Sequence, residues 1–185
     1  MDELNLDPSE STATDFEQPP LPLLSKEPRL YPGCCLSLSA PLLSHLCSLL
    51  PPAPSLSLSI GSGYGLLEAL LVSHGRRVIG IEVSPSSNRY LPPDSHRTVY
   101  GSRALDPLAN TAKAWLLVYP RRAALLDEYL HTHGKGDVER IIWAGPAADW
   151  EDYANCFRPA WRVLVQTADE VGGRAWEIVA VASKK

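Results

Sequence analysis

Apolar residues recur along the chain with two different periods, and the change from one period to the other marks the predicted elements. Residues 56–60 alternate leucine or isoleucine with serine and follow a proline-rich segment, which predicts a short buried strand. Leucines at helical spacing within residues 66–71 predict a helix that ends near His74-Gly75. The apolar run at 78–81 predicts the next strand. The segment therefore has the strand–helix–strand order of half a nucleotide-binding α/β unit.

The same periods predict the remaining elements. A helix is predicted from Ser39-Ala40-Pro41 to about residue 50, because serine favours a helix cap and proline the first turn. The segment after Glu82 contains three prolines and no helical period, so we predict a loop there. Early strands alternate with helices, which indicates a parallel sheet with right-handed crossovers. The other predicted strands are 98–100, 115–119, 138–144, 161–166 and 177–182, and the other predicted helices are 123–131 and 150–157.

These elements predict one Rossmann-like α/β domain over residues 29–185. Its sheet is expected to have seven strands, mostly parallel, with an antiparallel hairpin at the C-terminal end. The hydrophobic fraction of 45% is that of a protein that buries a core. Residues 1–28 are rich in acids, Ser, Thr and Pro, and this composition buries too little apolar surface to offset the entropy of ordering. We expect a disordered tail there.

Charge and cysteine spacing narrow the classes of partner. A net charge of −4 and a pI near 5.7 argue against charge-driven binding of nucleic acid. No charged residue occurs from 30 to 67, but prolines divide this stretch into pieces too short to span a membrane. The four cysteines have no metal-binding spacing, so we predict no metal site. We expect a soluble intracellular protein, in the cytoplasm or nucleus, with reduced thiols.

Candidate chemistry is concentrated between the first two strands. Gly61, Gly63 and Gly65 let the backbone turn sharply and leave room for a ligand to approach. Glu82 follows the second strand, at the sheet edge where open parallel sheets bind ligands. An acid at that position can accept hydrogen bonds from ribose hydroxyls. A solvated acid at a strand end is the alternative interpretation of Glu82.

On these residues the chain resembles the class I S-adenosylmethionine-dependent methyltransferases. Gly61-Ser62-Gly63-Tyr64-Gly65 is similar to the family's GxGxG loop, which lies under the methionine and ribose parts of the cofactor. Glu82 matches the acid that bonds the ribose. The resemblance extends from about residue 42 to residue 185, although its sharp motifs lie within 61–82. It implies the seven-stranded methyltransferase fold, S-adenosylmethionine as cofactor, and methyl transfer to a small-molecule or protein acceptor.

Three positions depart from the family pattern. An acid often precedes the first glycine and anchors the methionine amino group, but Ser59-Ile60 stands there. The acid that often bonds the adenine amino group is replaced by Tyr100-Gly101-Ser102, where Ser102 is the candidate contact, and Asp106 follows. After the fourth strand, Val118-Tyr119-Pro120-Arg121 lacks the acid or amide that amino-methylating members carry.

Methyl transfer needs alignment of the acceptor with the methyl group more than it needs a dedicated catalytic constellation. Strand-end residues are therefore the candidates for the acceptor pocket: Tyr119, Pro120, Arg121 and Trp143. Coverage of the core is the alternative for the two aromatic residues, and capping of the next helix is the alternative for Arg121. Tyr31 and Pro32 are either a lid over the cofactor or a plain linker.

Two other functions stay open on the sequence alone. The departures, together with the missing helix after Glu82, are compatible with a methyltransferase-like scaffold that has lost catalysis. In that case an under-covered sheet face around residues 83–112 is the candidate surface for a protein partner. The second alternative is an NAD(P)-binding oxidoreductase, which would prefer GxGxxG. Counted from Gly61, the third glycine of that motif falls on Leu66, which favours the methyltransferase interpretation.

Overall fold

A computed structural model describes residues 16–157 and 159–185. Its strands, in chain order, are β1 Arg29–Tyr31, β2 Cys34–Leu38, β3 Leu56–Ile60, β4 Arg77–Val83, β5 His96–Val99, β6 Ala114–Val118, β7 Arg140–Pro146, β8 Trp161–Thr167 and β9 Glu177–Lys184. Its α-helices are α1 Ala40–Leu49, α2 Leu66–Ser73, α3 Ala123–His133, α4 Trp150–Ala154 and α5 Ala168–Val171. Short 3-10 helices occupy Pro93–Ser95, Pro107–Asn110 and Ala147–Asp149.

Seven of these strands form one sheet in the order β5-β4-β3-β6-β7-β9-β8. The strands from β3 to β7 pair in parallel, and β9 is antiparallel to both β7 and β8. The prediction of a Rossmann-like methyltransferase sheet with an antiparallel C-terminal hairpin is therefore confirmed. The chain runs outward from β3 to β5 and then returns to β6 on the other side of β3. This reversal creates a crevice at the carboxyl ends of β3 and β6, where such sheets bind ligands.

Both faces of the sheet are buried at its centre, as the residues of β6 show. Ala114 and Leu116 belong to the apolar cluster that includes residues of α1 and α2, whereas Trp115 and Leu117 belong to the cluster that includes residues of α3. All four side chains are fully buried. Successive side chains of a strand point to opposite faces, so a continuous apolar run is what a doubly covered strand requires.

The structure adds elements that the sequence pattern did not predict. Strands β1 and β2 form a separate antiparallel hairpin, and α5 forms a single turn before β9. The segment after β4 contains no α-helix and only the short 3-10 turn Pro93–Ser95, as the prolines predicted. Strand β5 begins at His96, two residues before the predicted start.

The prediction of a disordered tail over residues 1–28 falls partly outside the described residues, which begin at Phe16. Residues 16–28 contain no helix or strand, but Leu21 and Leu24 pack against the core. No helix of the described chain is long and apolar enough to cross a membrane. The described residues also contain no cluster of side chains suited to hold a metal ion.

Candidate functional site

The glycine loop joins β3 to α2 in a conformation that favours glycine. Gly61, Gly63 and Gly65 have φ angles of 83°, 57° and 79°, a region that side-chain-bearing residues rarely adopt. The amides of Gly61 and Ser62 donate to the carbonyl of Ile81, at 2.9 and 3.0 Å, which ties the loop to β4. A Cβ atom built on Gly61 would meet nothing within 4 Å. The backbone at Gly61 is therefore open to an approaching ligand.

Glu82 lies directly beside this loop. Its carboxylate accepts a 2.7 Å hydrogen bond from the amide of Gly63 and a 2.8 Å bond from the amide of Val83. The two bonds use one lone pair on each oxygen, and a carboxylate has about four acceptor sites. Glu82 is thus fixed in orientation by the backbone and keeps acceptor capacity toward the space above the loop.

The glycine loop and Glu82 line a cleft of about 660 Å³ at the carboxyl ends of β3, β4 and β6. This volume lies within the range of small-molecule and cofactor sites. An apolar recess of about 50 Å³ adjoins it, walled by side chains that include Val83, Val99 and Leu125. The predicted site residues that line the cleft are Gly61, Ser62, Gly63, Glu82, Ser102, Tyr119, Pro120 and Arg121.

Other predicted site residues lie outside the cleft lining. Trp143 is 1% exposed, and its ring packs against Trp150 and Tyr153 with centroid distances of 5.2 Å. It points to the α4 side of the sheet, so its placement in an acceptor pocket is not supported and the alternative of a core aromatic describes it. Gly65 is the N-cap of α2, and an added Cβ would lie 2.8 Å from Leu91.

Tyr64 supports the glycine loop from outside the cleft. A Cβ atom on Gly33 would lie 2.1 Å from Tyr64 Cδ2, so the turn of the β1–β2 hairpin rests directly on this ring. The guanidinium of Arg89 lies 4.4 Å from the ring centroid. The hairpin thus covers the loop, and its residues Gly33, Cys34 and Cys35 line the cleft. Tyr31 and Pro32, for which the sequence left open a lid or a plain linker, belong to this hairpin.

Asp106 does not reach the cleft. It is 2% exposed and forms a 2.7 Å ion pair with Arg97. Its second oxygen accepts from the amide of Leu108 and caps the 3-10 turn Pro107–Asn110. Asp106 therefore stabilises the connection between β5 and β6. Ser102 is, with Glu82, a polar residue that adjoins both the cleft and the recess.

Tyr119 stands at the end of β6 with a φ of 47°, the positive value of a non-glycine residue. Such backbone strain costs about 1 to 3 kcal/mol and often occurs at functional sites. Its hydroxyl donates a 2.8 Å hydrogen bond to Glu177 Oε1, and burial is the main reason why the pKa of this phenol is raised. The next residues form part of the cleft wall: the carbonyl of Pro120 accepts from Tyr153, and Arg121 is exposed.

Sequence reasoning missed Glu68, which also lines the cleft. It is 3% exposed and lies in the first turn of α2, and its carboxylate accepts a 2.6 Å bond from the hydroxyl of Ser59. Burial raises the pKa of this carboxyl from 4.5 to about 7. The signal in the sequence was a single acid within the apolar helix LLEALL. Cys34 was missed as well, and burial raises the pKa of its thiol to about 12, which keeps it neutral.

No protein-family model matches this sequence, and a comparison with curated proteins found no match. Solved structures do match. A precorrin-6y C5,15-methyltransferase from Geobacter metallireducens is 12% identical, with 91% of this chain and 100% of that chain covered, at a TM-score of 0.55. The glycopeptide N-methyltransferase MtfA, complexed with S-adenosyl-L-homocysteine, is 13% identical, with 78% and 89% covered, at a TM-score of 0.58.

The chain has the Rossmann-like methyltransferase fold. A third similar structure, precorrin 8w decarboxylase from Methanobacterium thermoautotrophicum, is 14% identical, with 88% of this chain and 100% of that chain covered, at a TM-score of 0.57. At these identities the comparison establishes the fold, and the chemistry has to be argued from the cleft itself.

Proposed function

We propose that this protein binds S-adenosylmethionine in the cleft and transfers its methyl group to a small-molecule or protein acceptor. The observation that carries the proposal is the convergence of the open glycine loop and the oriented carboxylate of Glu82 on one cleft of about 660 Å³. This cleft lies at the switch point of a methyltransferase fold. The sequence pattern predicts the same residues for the cofactor site.

The residues present fit this cofactor. Gly61 offers backbone with nothing within 4 Å of a built Cβ, so a ligand can approach the loop closely. Glu82 keeps acceptor capacity for ribose hydroxyls. The apolar recess adjoins Glu82 and Ser102 and would accommodate part of a nucleobase edge. We assign Gly61, Ser62, Gly63, Glu82 and Ser102 to cofactor contacts on these grounds, with Tyr64 and Gly65 in supporting roles.

The cofactor supplies an electrophilic methyl group on a sulfonium sulfur. The protein then has to orient the acceptor and exclude water. The shape of the pocket wall therefore matters more than a side chain that transfers protons. Tyr119, Pro120 and Arg121 form the part of the wall that extends from β6. The positive φ at Tyr119 fixes the direction in which this wall leaves the strand. These three residues are our candidates for acceptor contacts.

The alternative function, a methyltransferase-like scaffold that has lost catalysis, uses the same fold but does not require binding of S-adenosylmethionine. Its candidate surface around residues 83–112 includes Tyr100, which is 82% exposed beside the edge strand β5. We propose this face as the site of any protein partner, and the cytoplasm or nucleus as the compartment. An oxidoreductase would use the same cleft for a nicotinamide nucleotide.

Calorimetric titration of S-adenosylmethionine, S-adenosylhomocysteine and NAD⁺ into the purified protein tests the proposal. We expect micromolar binding of the first two ligands, about −8 kcal/mol, and no binding of NAD⁺. Gly61→Ala and Gly75→Ala form a matched pair, because φ is 83° and 78° and neither built Cβ meets an atom within 4 Å. Of the two, only Gly61 lines the cleft, so only the methyl group added there should obstruct the ligand and reduce its affinity.

Absence of binding by either adenosyl ligand at millimolar concentration would overturn the proposal and leave the scaffold function. Binding that is equal in the two glycine variants would place the ligand elsewhere than the glycine loop. Once binding is established, methyl transfer from labelled cofactor to candidate acceptors separates an active enzyme from a binding protein.

A further inference from the structure

Glu68 is a buried carboxyl group that the proposed contacts so far leave without a role. It is 3% exposed and lies among leucines on α2, yet it forms part of the cleft lining. Acids are rarely so deeply buried unless they are paired, because an ionised carboxylate loses its hydration. In the described part of the chain no lysine or arginine forms an ion pair with Glu68.

Two local features hold the carboxyl group in place. The hydroxyl of Ser59, which is 1% exposed, donates a 2.6 Å hydrogen bond to Oε1. The position in the first turn of α2 favours negative charge there through the helix dipole. These features orient the group without neutralising it. The charge of Glu82 on β4 acts against ionisation of Glu68, and Cys34 on β2 is the titratable neighbour from the hairpin.

The cleft thus presents two carboxyl groups among its described residues, and they differ in their surroundings. Glu82 is half-buried and bound by two backbone amides, which suits an acceptor for neutral hydroxyls. Glu68 is deeply buried, accepts from the Ser59 hydroxyl and forms no ion pair with a lysine or arginine of the described residues. A buried carboxylate of this kind is stabilised most by a ligand that brings a positive charge and several N–H donors.

We infer that Glu68, positioned by Ser59, binds the ammonium group on the amino-acid part of the ligand. The inference rests on the proposed function, because S-adenosylmethionine and S-adenosylhomocysteine both carry that primary ammonium group next to a carboxylate. A cation in this place would compensate both the buried charge of Glu68 and its repulsion from Glu82. The acid that often precedes the first glycine and anchors the methionine amino group is replaced here by Ser59. In the structure the hydroxyl of Ser59 donates to Glu68, so α2 supplies the carboxyl group instead.

A double-mutant cycle between protein and ligand tests the inference. Wild-type protein and Glu68→Gln are each titrated with S-adenosylhomocysteine and with its desamino analogue, which lacks only the amino group. Glutamine keeps the size of the side chain and an oxygen for the Ser59 hydroxyl. We expect tenfold or greater loss of affinity when either the carboxylate or the amino group is removed. Removal of both should cost little more than removal of one.

Glu151→Gln removes an exposed acid from α4, outside the cleft, and should leave both affinities unchanged. Equal binding of S-adenosylhomocysteine by wild type and Glu68→Gln, or additive losses in the cycle, would overturn the role of Glu68 while leaving the cofactor site intact. Failure of wild type to bind either ligand would instead overturn the proposed function, and this inference with it. If Glu68→Gln does not fold, the wild type decides alone, because equal affinity for the two ligands excludes an ammonium contact.

Discussion

The hydroxyl of Tyr119 donates a 2.8 Å hydrogen bond to Glu177, a residue 58 positions later in the chain. The same carboxylate oxygen accepts a 3.0 Å bond from the amide of Ser37, 140 positions earlier than Glu177. Glu177 is 2% exposed and therefore joins the end of β6, the start of β9 and the hairpin strand β2 in one buried network. The part of the cleft wall that extends from β6 is held by contacts between distant parts of the chain.

Substitution of Tyr119 by phenylalanine tests the strength of this network. Tyr119→Phe removes one hydrogen bond to a buried carboxylate, which typically contributes about 1.5 to 3 kcal/mol. We expect the free energy of unfolding, measured in urea, to fall by that amount. Tyr100→Phe is the matched control, because Tyr100 is 82% exposed and should change stability by less than about 0.5 kcal/mol. Equal stability of the two variants would contradict the network.

Alanine at Gly33 tests whether the hairpin rests on Tyr64. Gly33 and Gly75 have φ angles of 81° and 78°, so alanine introduces similar backbone strain at both positions. Only at Gly33 would the new Cβ collide with a ring, at 2.1 Å, whereas at Gly75 it meets nothing. We expect Gly33→Ala to cost about 1 to 3 kcal/mol more than Gly75→Ala. Faster hydrogen exchange in residues 29–38 should accompany the loss, and similar values for both variants would contradict hairpin docking.

Neutralisation of Glu82 should weaken cofactor binding without unfolding the protein. Glu82→Gln removes the charge and one of the two acceptors that Gly63 and Val83 use. Weaker orientation of the loop and the loss of a charged acceptor should reduce affinity for S-adenosylhomocysteine at least about tenfold, which is 1.4 kcal/mol. Asp94→Asn neutralises an exposed acid that does not line the cleft and serves as control. Calorimetry that finds both variants at wild-type affinity would exclude Glu82 from the site.

The raised pKa of Glu68 makes a prediction about stability and pH. In the unfolded chain the carboxyl group titrates near 4.5, and in the fold near 7, so between these values the folded state binds more protons. The contribution of Glu68 to the stability of the ligand-free protein should therefore fall as the pH rises through this window, by roughly 3 kcal/mol in total. Glu68→Gln has no such carboxyl group and should equal wild type near pH 4.5 and exceed it at pH 8.

Urea unfolding of wild type and Glu68→Gln at several pH values between 5 and 8 measures this difference. Groups distant from Glu68 titrate equally in both proteins, so the difference between the two curves reports Glu68 together with its interaction with Glu82. Parallel curves would show that the carboxyl group has an ordinary pKa in the fold. A destabilising acid that is kept in a cleft is what a trade-off between stability and ligand binding predicts.

Local signals explain why the β3–α2–β4 unit could be predicted from the sequence. The period of leucines, the glycines at 61–65 and Glu82 all lie within 27 residues and constrain one another. Glu68 could not be assigned in this way, because its proximity to Ser59 depends on how α2 packs against β3. Trp143 was a pocket candidate because it lies near a strand end, with coverage of the core as the alternative, and the pleat directs its ring toward α4.

The hairpin escaped prediction for a different reason. Its strands have three and five residues, and Pro32-Gly33 between them is compatible with an ordinary linker. Its position over the glycine loop depends on the missing Cβ of Gly33 and the ring of Tyr64, which are 31 residues apart in the chain. Contacts of this kind leave no periodic trace in a sequence.

The insertion of β9 between β7 and β8 has a consequence for the order of assembly. Among the described residues, β8 pairs only with β9, so β8 joins the sheet only when the following strand has paired with β7. The same strand brings Glu177 to Tyr119 and Ser37 and closes loops of 58 and 140 residues. Closure of long loops slows folding. A nascent chain can thus build the glycine-loop half of the cleft from local contacts, whereas the half that extends from β6 is complete only when the most distant strand, β9, has paired.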